Sequence, residues 1–260
     1  MTLTKAQTAA YLDRLGIRAA DVSLDVKGLA RLQRAHLTAV PFTNLDVYDG
    51  LPVSTDLAWS VDAVVEGRGG WCFVLNGAFA ALLDGLGFEV TRWAAVVVMT
   101  ANVSPMDDHL CLRVELERPY LVDVGFGDSF TRPLALDTVE PQDDPGAGRR
   151  FRVATAAGDH RRSLQSERVD DAGALTWRTD YLIDEHPRTL DHFTPANDYL
   201  ATTPGLLWTD KRFVTRLSPE GRLTLLEDRV TQLVDGQPTT TPVDPGDWDA
   251  VHRRLFPSAG

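Results

Sequence analysis

Three residues of this chain have the types and the order expected of a base-activated nucleophile: Cys72, His109 and Asp123. Cys72 follows Gly69 and Gly70 and opens an apolar segment that is predicted to be a helix. The N-terminus of a helix offers unpaired N–H groups and a positive dipole end, which favour thiolate over thiol. A histidine can take the thiol proton, and a carboxylate can hold the imidazole in one tautomer. The pattern therefore predicts covalent catalysis through a cysteine.

Each of the three residues also has a structural interpretation. Cys72 lies on the apolar stripe of its predicted helix, and cysteine is among the most buried residue types. His109 fits an ordinary strand-end histidine, and Asp123 fits a turn carboxylate ahead of Gly125. The double glycine before Cys72 favours the chemical interpretation, because a plain core helix does not require it. That interpretation holds only if the three side chains meet in space.

Three segments resemble those of the arylamine N-acetyltransferase family of bacterial type. They are residues 68–73 (RGGWCF), 109–112 (HLCL) and 123–127 (DVGFG), with weaker matches that extend the resemblance over about residues 8–232. The resemblance implies that Cys72, His109 and Asp123 form a catalytic triad. It also implies transfer of an acetyl or other acyl group from an acyl-CoA thioester, by way of an acyl-cysteine, to an arylamine or related amine.

Two positions depart from the family pattern. The chain has Thr43 where the family carries an acidic residue, and Val74 where it carries Glu or Gln. Since the family buries its arginines among carboxylates, Arg14 and Arg68 need another counter-ion, for which Asp46 is the candidate. The departures leave open a second activity on the same fold, that of an amide synthase acting on polyketide or carrier-protein-bound acyl thioesters.

The resemblance also implies where CoA binds. The family holds CoA between the loop before the catalytic histidine and a loop of the last domain, which assigns Ser104, Thr203 and Lys211 to this site. A dry pocket for an aromatic amine is expected from four aromatic residues: Trp71, Phe126, Phe130 and Phe193. The main-chain N–H groups at the start of the nucleophile helix are expected to stabilise an oxyanion.

Two further interpretations stay open. A metal site could use the two cysteines, His109 and Asp123, but the chain has no Cys-x-x-Cys or paired-histidine spacing, so no metal is predicted. The other is a binding protein with an inactive triad.

Composition limits the class of protein. The chain has 260 residues, of which 43% are apolar, and a formal net charge of −11. This charge argues against nucleic acid or an anionic membrane as a partner. The N-terminal residues do not resemble a signal peptide, and the longest apolar run is too short to span a bilayer. With two cysteines and no disulfide framework expected, we predict a cytoplasmic protein whose partners are an aromatic amine, an acyl-CoA and, for the synthase, an acyl carrier protein.

The periodicity of apolar residues predicts helices first and strands afterwards. Predicted helices cover 5–15, 25–40, 56–66, 72–86 and 247–255, predicted strands cover 90–99, 109–116, 120–124, 151–153, 163–167, 174–182, 211–217 and 222–226, and a loop covers 137–150. This order predicts an α+β fold in which an N-terminal helical bundle (1–88) carries the nucleophile. A central β-barrel or sheet domain (89–198) carries the histidine and the aspartate, and an α/β lid (199–260) follows.

Simple register does not bring His109 and Asp123 together. A tight turn at residues 117–119 leaves them three or four residues out of step, about 10–13 Å along the strands. A bulge, a bend or a different register must close that gap.

Overall fold

The structure is a computed structural model that describes residues 2–99, 102–155, 158, 160–170, 172–219, 221–234 and 237–257. Its helices are α1 (Lys5–Arg14), α2 (Val26–Ala39), α3 (Leu45–Tyr48), α4 (Leu57–Val65), α5 (Cys72–Leu86), α6 (Thr194–Thr202), α7 (Leu207–Asp210) and α8 (Trp248–Leu255). Its strands are β1 (Phe42–Thr43), β2 (Glu89–Met99), β3 (Asn102–Val103), β4 (His109–Glu115), β5 (Pro119–Val122), β6 (Leu134–Ala135), β7 (Gln142–Asp144), β8 (Arg149–Thr155), β9 (Arg162–Val169), β10 (Leu175–Pro187), β11 (Val214–Ser218), β12 (Gly221–Leu225), β13 (Arg229–Val234) and β14 (Gln237–Pro242).

The helix that begins at Cys72 is the centre of the N-terminal part. Every residue of α5 from 72 to 83 is buried, because the helix is apolar on all sides and packs between α4 and strands β2 and β4. Gly87 ends it with a φ of 100°, a left-handed conformation that favours glycine. The helix prediction is confirmed, although burial extends around the whole helix and not along one stripe.

The central sheet is antiparallel and curls into a nearly closed barrel. Its strand order is β6-β5-β4-β2-β10-β9-β8-β7, with β3 paired to β2. The two ends of this order are joined by the side chain of Gln142, which donates to the carbonyl oxygen of Ala135 at 3.0 Å and accepts from its N–H at 2.8 Å. A side-chain amide thus replaces a backbone ladder bond at the seam. The α+β prediction is confirmed.

A second sheet ties the C-terminal part to the helical part. Its order is β1-β11-β12-β13-β14, and β1 comes from the segment between α2 and α3. Trp248 of α8 is buried against this sheet and donates from Nε1 to the carbonyl oxygen of Leu226 at 2.9 Å. The domain boundaries at residues 88 and 198 stay a prediction.

Three parts of the fold differ from the sequence-based expectation. The predicted loop 137–150 is wrong, because it contains β7 and the start of β8, joined by a short turn. Helix α6 was not predicted, and neither were β13 and β14. Strand β14 is exposed along its whole length, so it has no apolar periodicity, and its pairing with β13 makes it a strand. No helix in the described ranges combines the length and the apolar composition needed to cross a membrane.

Candidate active site

Cys72, His109 and Asp123 meet where the first turn of α5 contacts the end of β4. His109 Nε2 lies 2.7 Å from Asp123 Oδ2, and both side chains are almost completely buried. The thiol of Cys72 hydrogen-bonds to the same imidazole, and its Sγ lies 3.6 Å from the carbonyl oxygen of Asp108. Because Asp123 occupies Nε2, the nitrogen that faces the sulfur is Nδ1.

The pKa of His109 is set by opposing influences. Burial favours the neutral imidazole and lowers the pKa, whereas the charge and the hydrogen bond of Asp123 raise it, as do the hydrogen bond and charge of Cys72. The balance raises the pKa of His109 from 6.5 to about 10. An imidazolium next to a cysteine stabilises the thiolate, which is the nucleophilic form of sulfur.

The observed strand register explains how His109 and Asp123 meet. Strand β4 pairs with β5 so that Leu112 faces Val122 and Glu115 faces Pro119. Continued by one residue, this register places Asp123 two positions from the residue opposite His109. Such diagonal neighbours share a face of the sheet and lie within side-chain reach. The expected offset of three or four residues was wrong because the turn is centred one residue earlier.

The carboxylate of Asp123 is held by four donors. Oδ2 accepts from His109 and from the hydroxyl of Tyr181, the latter at 3.1 Å. Oδ1 accepts from Asn76 Nδ2 and from the N–H of Gly125, both at 2.8 Å. With both oxygens used, the carboxylate cannot rotate away from the imidazole. Sequence reasoning missed Tyr181, which lies 58 residues from Asp123 along the chain.

Asn76 connects the nucleophile helix to the strands of the triad. It lies one turn after Cys72 in α5, donates to the carbonyl oxygen of Leu110 at 2.6 Å and accepts from the N–H of Val124 at 2.9 Å. The signal for this role was a fully buried amide at i+4 from the cysteine in an otherwise apolar helix. Gly125 completes the junction, since a Cβ there would lie 2.6 Å from the Cα of Cys72.

A cleft of about 300 Å³ opens onto the sulfur and the imidazole. Phe126 lines it as predicted, with its ring edge-on to His109 at a centroid distance of 5.2 Å. The other lining residues are Phe42, Cys72, Val97, Val98, Asp108, Gly125, Arg178, Asp180, Leu207 and Trp208. The cleft therefore combines an apolar wall with a few polar groups, as small-molecule sites do.

The other three aromatic residues assigned to this pocket do not line it. Trp71 is buried and donates from Nε1 to Asn197 at 3.1 Å. Phe193 packs on Phe73 within the helical core, with ring centroids 5.3 Å apart. Phe130 lies in the interior of the barrel. Their assignment to the pocket was wrong, because sequence alone does not separate aromatic residues that face a cleft from those that fill a core.

The residues assigned to CoA lie outside this cleft. Ser104 Oγ accepts from a nearby main-chain N–H, the carbonyl of Thr203 accepts a hydroxyl, and Lys211 is exposed. None of these three is among the lining residues. The loop between Thr203 and Lys211 contributes Leu207 and Trp208 instead. The assignment to CoA stays a prediction.

Asn44 positions the part of this loop that reaches the cleft. Its side-chain amide donates to the carbonyl oxygens of Trp208 and Lys211, both at 2.7 Å, and accepts from the N–H of Phe213 at 3.0 Å. Thr43, at the position that departs from the family pattern, donates to the carbonyl oxygen of Phe213 at 3.2 Å. The segment around β1 thus holds α7 by main-chain recognition and needs no charge to do so.

The two arginines flagged in the sequence have different partners. Arg68 pairs with Asp46 at 3.3 Å and with Glu66 at 2.7 Å, at a partly exposed position where ion pairs contribute little to stability. Arg14 does not share Asp46 but donates to the carbonyl oxygen of Ala39 at 2.8 Å. Neither guanidinium contacts the triad.

The start of α5 supplies further groups for the chemistry. Because the helix begins at Cys72, its first N–H groups have no carbonyl partner within the helix. They lie beside the sulfur, where they can stabilise an oxyanion that forms on attack. Within the part of the chain that the structure describes, no cluster of three or more His, Cys, Asp or Glu side chains has a metal-binding arrangement.

Comparisons with known proteins agree with the geometry. A family model described as N-acetyltransferase matches residues 25–257. Human arylamine N-acetyltransferase 1 is 31% identical over 229 residues, covering 82% of this chain and 78% of the human protein. The arylamine N-acetyltransferase of Salmonella typhimurium superposes with a TM-score of 0.87 at 26% identity, over 98% of this chain and 92% of that one. The Mycobacterium marinum enzyme gives 0.83 at 25% identity, over 95% and 91%. The resemblance is confirmed, and the chain belongs to the arylamine N-acetyltransferase family.

Proposed function

We propose that this protein transfers an acetyl group from acetyl-CoA to an aromatic amine, with Cys72 as the covalent carrier, His109 as the proton carrier and Asp123 as the group that orients the imidazole. One observation carries the proposal. The imidazole lies between the thiol and the carboxylate at the floor of a cleft that is large enough for a ring. Membership in the family supports acetyl-CoA and an arylamine as the two substrates.

In the first half-reaction the thiolate of Cys72 attacks the thioester carbonyl. The oxyanion that forms is stabilised by N–H groups at the start of α5. When the tetrahedral intermediate collapses, the bond to the CoA sulfur breaks, and the departing thiolate takes the proton from the imidazolium of His109. Exchange of one thioester for another is close to level in free energy, which suits a cysteine carrier.

In the second half-reaction an amine attacks the acetyl-cysteine. Neutral His109 accepts the amine proton, the carbon–sulfur bond breaks, and Cys72 returns to the thiolate beside an imidazolium. Water competes with the amine at this stage, so the cleft must limit access of water to the carbonyl. The apolar side chains of Phe42, Phe126 and Trp208 provide such a wall.

Mass spectrometry of the intact protein tests the covalent step. Incubated with acetyl-CoA and no amine, the native protein is expected to gain the mass of one acetyl group, and Cys72→Ala is expected to gain none. Cys111→Ala is the matched control, because the other cysteine is fully buried and burial, with the nearby charges of Asp123 and Cys72, raises the pKa of its thiol. Adding 4-methylaniline should remove the adduct and yield the amide.

Two outcomes would contradict the proposal. Unchanged turnover by Cys72→Ala would exclude the sulfur as carrier. An adduct that forms only from an acyl group presented on a carrier protein, and not from acetyl-CoA, would favour the amide synthase activity on the same triad.

A further inference from the structure

Asp180 forms part of the cleft wall because of an irregularity in β10. Strand β10 pairs with β9, but the register shifts between Thr179, which faces Gln165, and Tyr181, which faces Leu164. Asp180 is therefore the extra, unpaired residue of a β-bulge. Bulges redirect a side chain and often lie next to active sites. Here the bulge turns Asp180 toward the cleft, whereas Tyr181 faces the triad.

The carboxylate of Asp180 is only half used. Its Oδ1 accepts both from Nε of Arg178, at 3.1 Å, and from Nη2, at 2.9 Å. Its Oδ2 is buried and has no hydrogen-bond partner among the described residues. The Asp180 side chain is completely buried, while that of Arg178 is 56% exposed. A buried carboxylate oxygen without a donor is costly, because it has lost its water and gained nothing in return.

An ion pair with Arg178 alone does not account for this arrangement. A structural pair would gain most if the guanidinium met both oxygens in the bidentate geometry that arginine favours. Instead both donors converge on Oδ1, and the pair leaves Oδ2 unused in the wall of an otherwise largely apolar cleft. Native proteins rarely leave such a group unsatisfied, and a missing ligand donor is one of the accepted reasons.

The position of Asp180 suits contact with the acceptor. Its neighbour Tyr181 has its ring against that of His109, at a centroid distance of 4.8 Å, and lies opposite Val97 of β2. Val97 lines the same cleft as Asp180. A ring that enters the cleft with its amine at the sulfur therefore has the wall that contains Asp180 beside it.

We propose that Asp180 Oδ2 accepts a hydrogen bond from a second donor group of the amine acceptor, such as a ring hydroxyl, amino or ammonium group, and that Asp180 thereby determines acceptor specificity. The proposal rests on the proposed function, since it concerns the second substrate of that reaction. A site built to bond a hydroxyl rejects the analogue that lacks it, because its own polar group is then left unpaired.

The test follows deacylation of the isolated acetyl-enzyme by matched acceptors. The 3- and 4-aminophenols are compared with the 3- and 4-methylanilines, in which a methyl group of similar size replaces the hydroxyl donor. The native protein is expected to react with the hydroxyl acceptor about tenfold faster or more at one of the two ring positions at least. Working from the acetyl-enzyme keeps CoA binding out of the measurement.

Two substitutions at Asp180 separate recognition from folding. Asp180→Leu removes the acceptor oxygen and is expected to bring the hydroxyl-to-methyl rate ratio to within about twofold of one. Asp180→Asn keeps the size and one oxygen for Arg178, so it covers the case in which the leucine variant does not fold, and its ratio is expected to fall as well. Asp137→Asn, which breaks an exposed ion pair with Arg118 outside the cleft, should keep the native ratio.

The outcomes distinguish this inference from the proposed function. Equal rates for hydroxyl and methyl acceptors at both ring positions in the native protein would overturn the inference and leave acetyl transfer intact. An unchanged ratio in a folded Asp180 variant would overturn it as well. If no amine removes the acetyl group, the proposed function fails and the inference fails with it.

Discussion

Replacing Asp123 with asparagine tests the proton route of the triad, and the contacts predict the orientation of the new amide. Asp123 Oδ1 accepts from Asn76 Nδ2 and from the N–H of Gly125, and neither group can accept in return. The amide of Asp123→Asn must therefore keep its oxygen at that position. Its NH2 group then replaces Oδ2 and donates toward His109.

That orientation puts the imidazole in the wrong tautomer. With a donor facing Nε2, the proton of neutral His109 must sit on Nδ1, which faces Cys72, so the ring cannot accept the thiol proton. The substitution also removes the charge that raises the pKa of His109, while the burial that lowers it remains. A fall in the pKa of His109 from about 10 to 6.5 corresponds to about 5 kcal/mol at roughly 1.4 kcal/mol per unit. We therefore expect acylation to slow by about 10³- to 10⁴-fold.

Two measurements check this expectation. Stopped-flow release of the CoA thiol in the first turnover gives the acylation rate directly. The pH dependence of Cys72 alkylation by iodoacetamide reports the thiolate, which in the native protein should persist at about pH 6 and in the variant should appear only near the ordinary thiol pKa of about 8.5. Tyr181→Phe is the control, because it removes one neutral donor from the same oxygen and keeps the charge. It should slow acylation by about tenfold or less.

The reasoning would be refuted by a folded Asp123→Asn protein that acylates within tenfold of the native rate. An alkylation profile that matches the native one would refute the part that concerns the thiolate. Thermal unfolding of both variants establishes that the fold is retained, so a loss of rate cannot be attributed to unfolding.

Two further predictions concern stability. Gly125→Ala places a Cβ 2.6 Å from the Cα of Cys72, so urea unfolding should show a loss of about 1–3 kcal/mol with slower acylation. Gly85→Ala, whose Cβ meets only a hydroxyl at 3.6 Å, should be neutral or stabilising, and equal effects would contradict the clash. Burial lowers the pKa of His36 to about 3, so the folded state keeps it neutral while the unfolded chain protonates it below about 6.5. Stability is therefore lost as pH falls through this window, and between pH 7 and 5 the native protein should lose about 2 kcal/mol more than His36→Gln, which retains a partner for Tyr11; equal losses would contradict the assignment.

Local signals in the sequence were sufficient for the elements around the nucleophile. The double glycine before Cys72 and the glycine after α5 mark the two ends of that helix, and both act within a few residues. The alternation in β4 and the turn after it predicted the hairpin, although its register was displaced. Register depends on the turn that the whole sheet accepts, and a shift of one residue in the turn moves every pairing.

Burial of aromatic and polar side chains was the harder part. Phe126 and Phe130 are four residues apart, yet one lines the cleft and the other fills the barrel. Asn76 was noted only as a match to the family, and Asp180 carried no signal, because a bulge depends on two strands and not on one. Tyr181 likewise acquires its role only from contact with Asp123.

The sequence by itself determined the order of helices and strands, the family, and the three residues with nucleophile, base and carboxylate chemistry, because these depend on short-range patterns and residue types. Only the tertiary structure decided that His109 lies between Cys72 and Asp123, with Asn76 and Tyr181 as further partners of the carboxylate. It also decided which aromatic rings face the cleft and left one oxygen of a buried carboxylate there without a donor. The physical reason is that hydrogen bonds and burial join residues far apart in the chain, so their geometry exists only once the sheet has closed against the nucleophile helix.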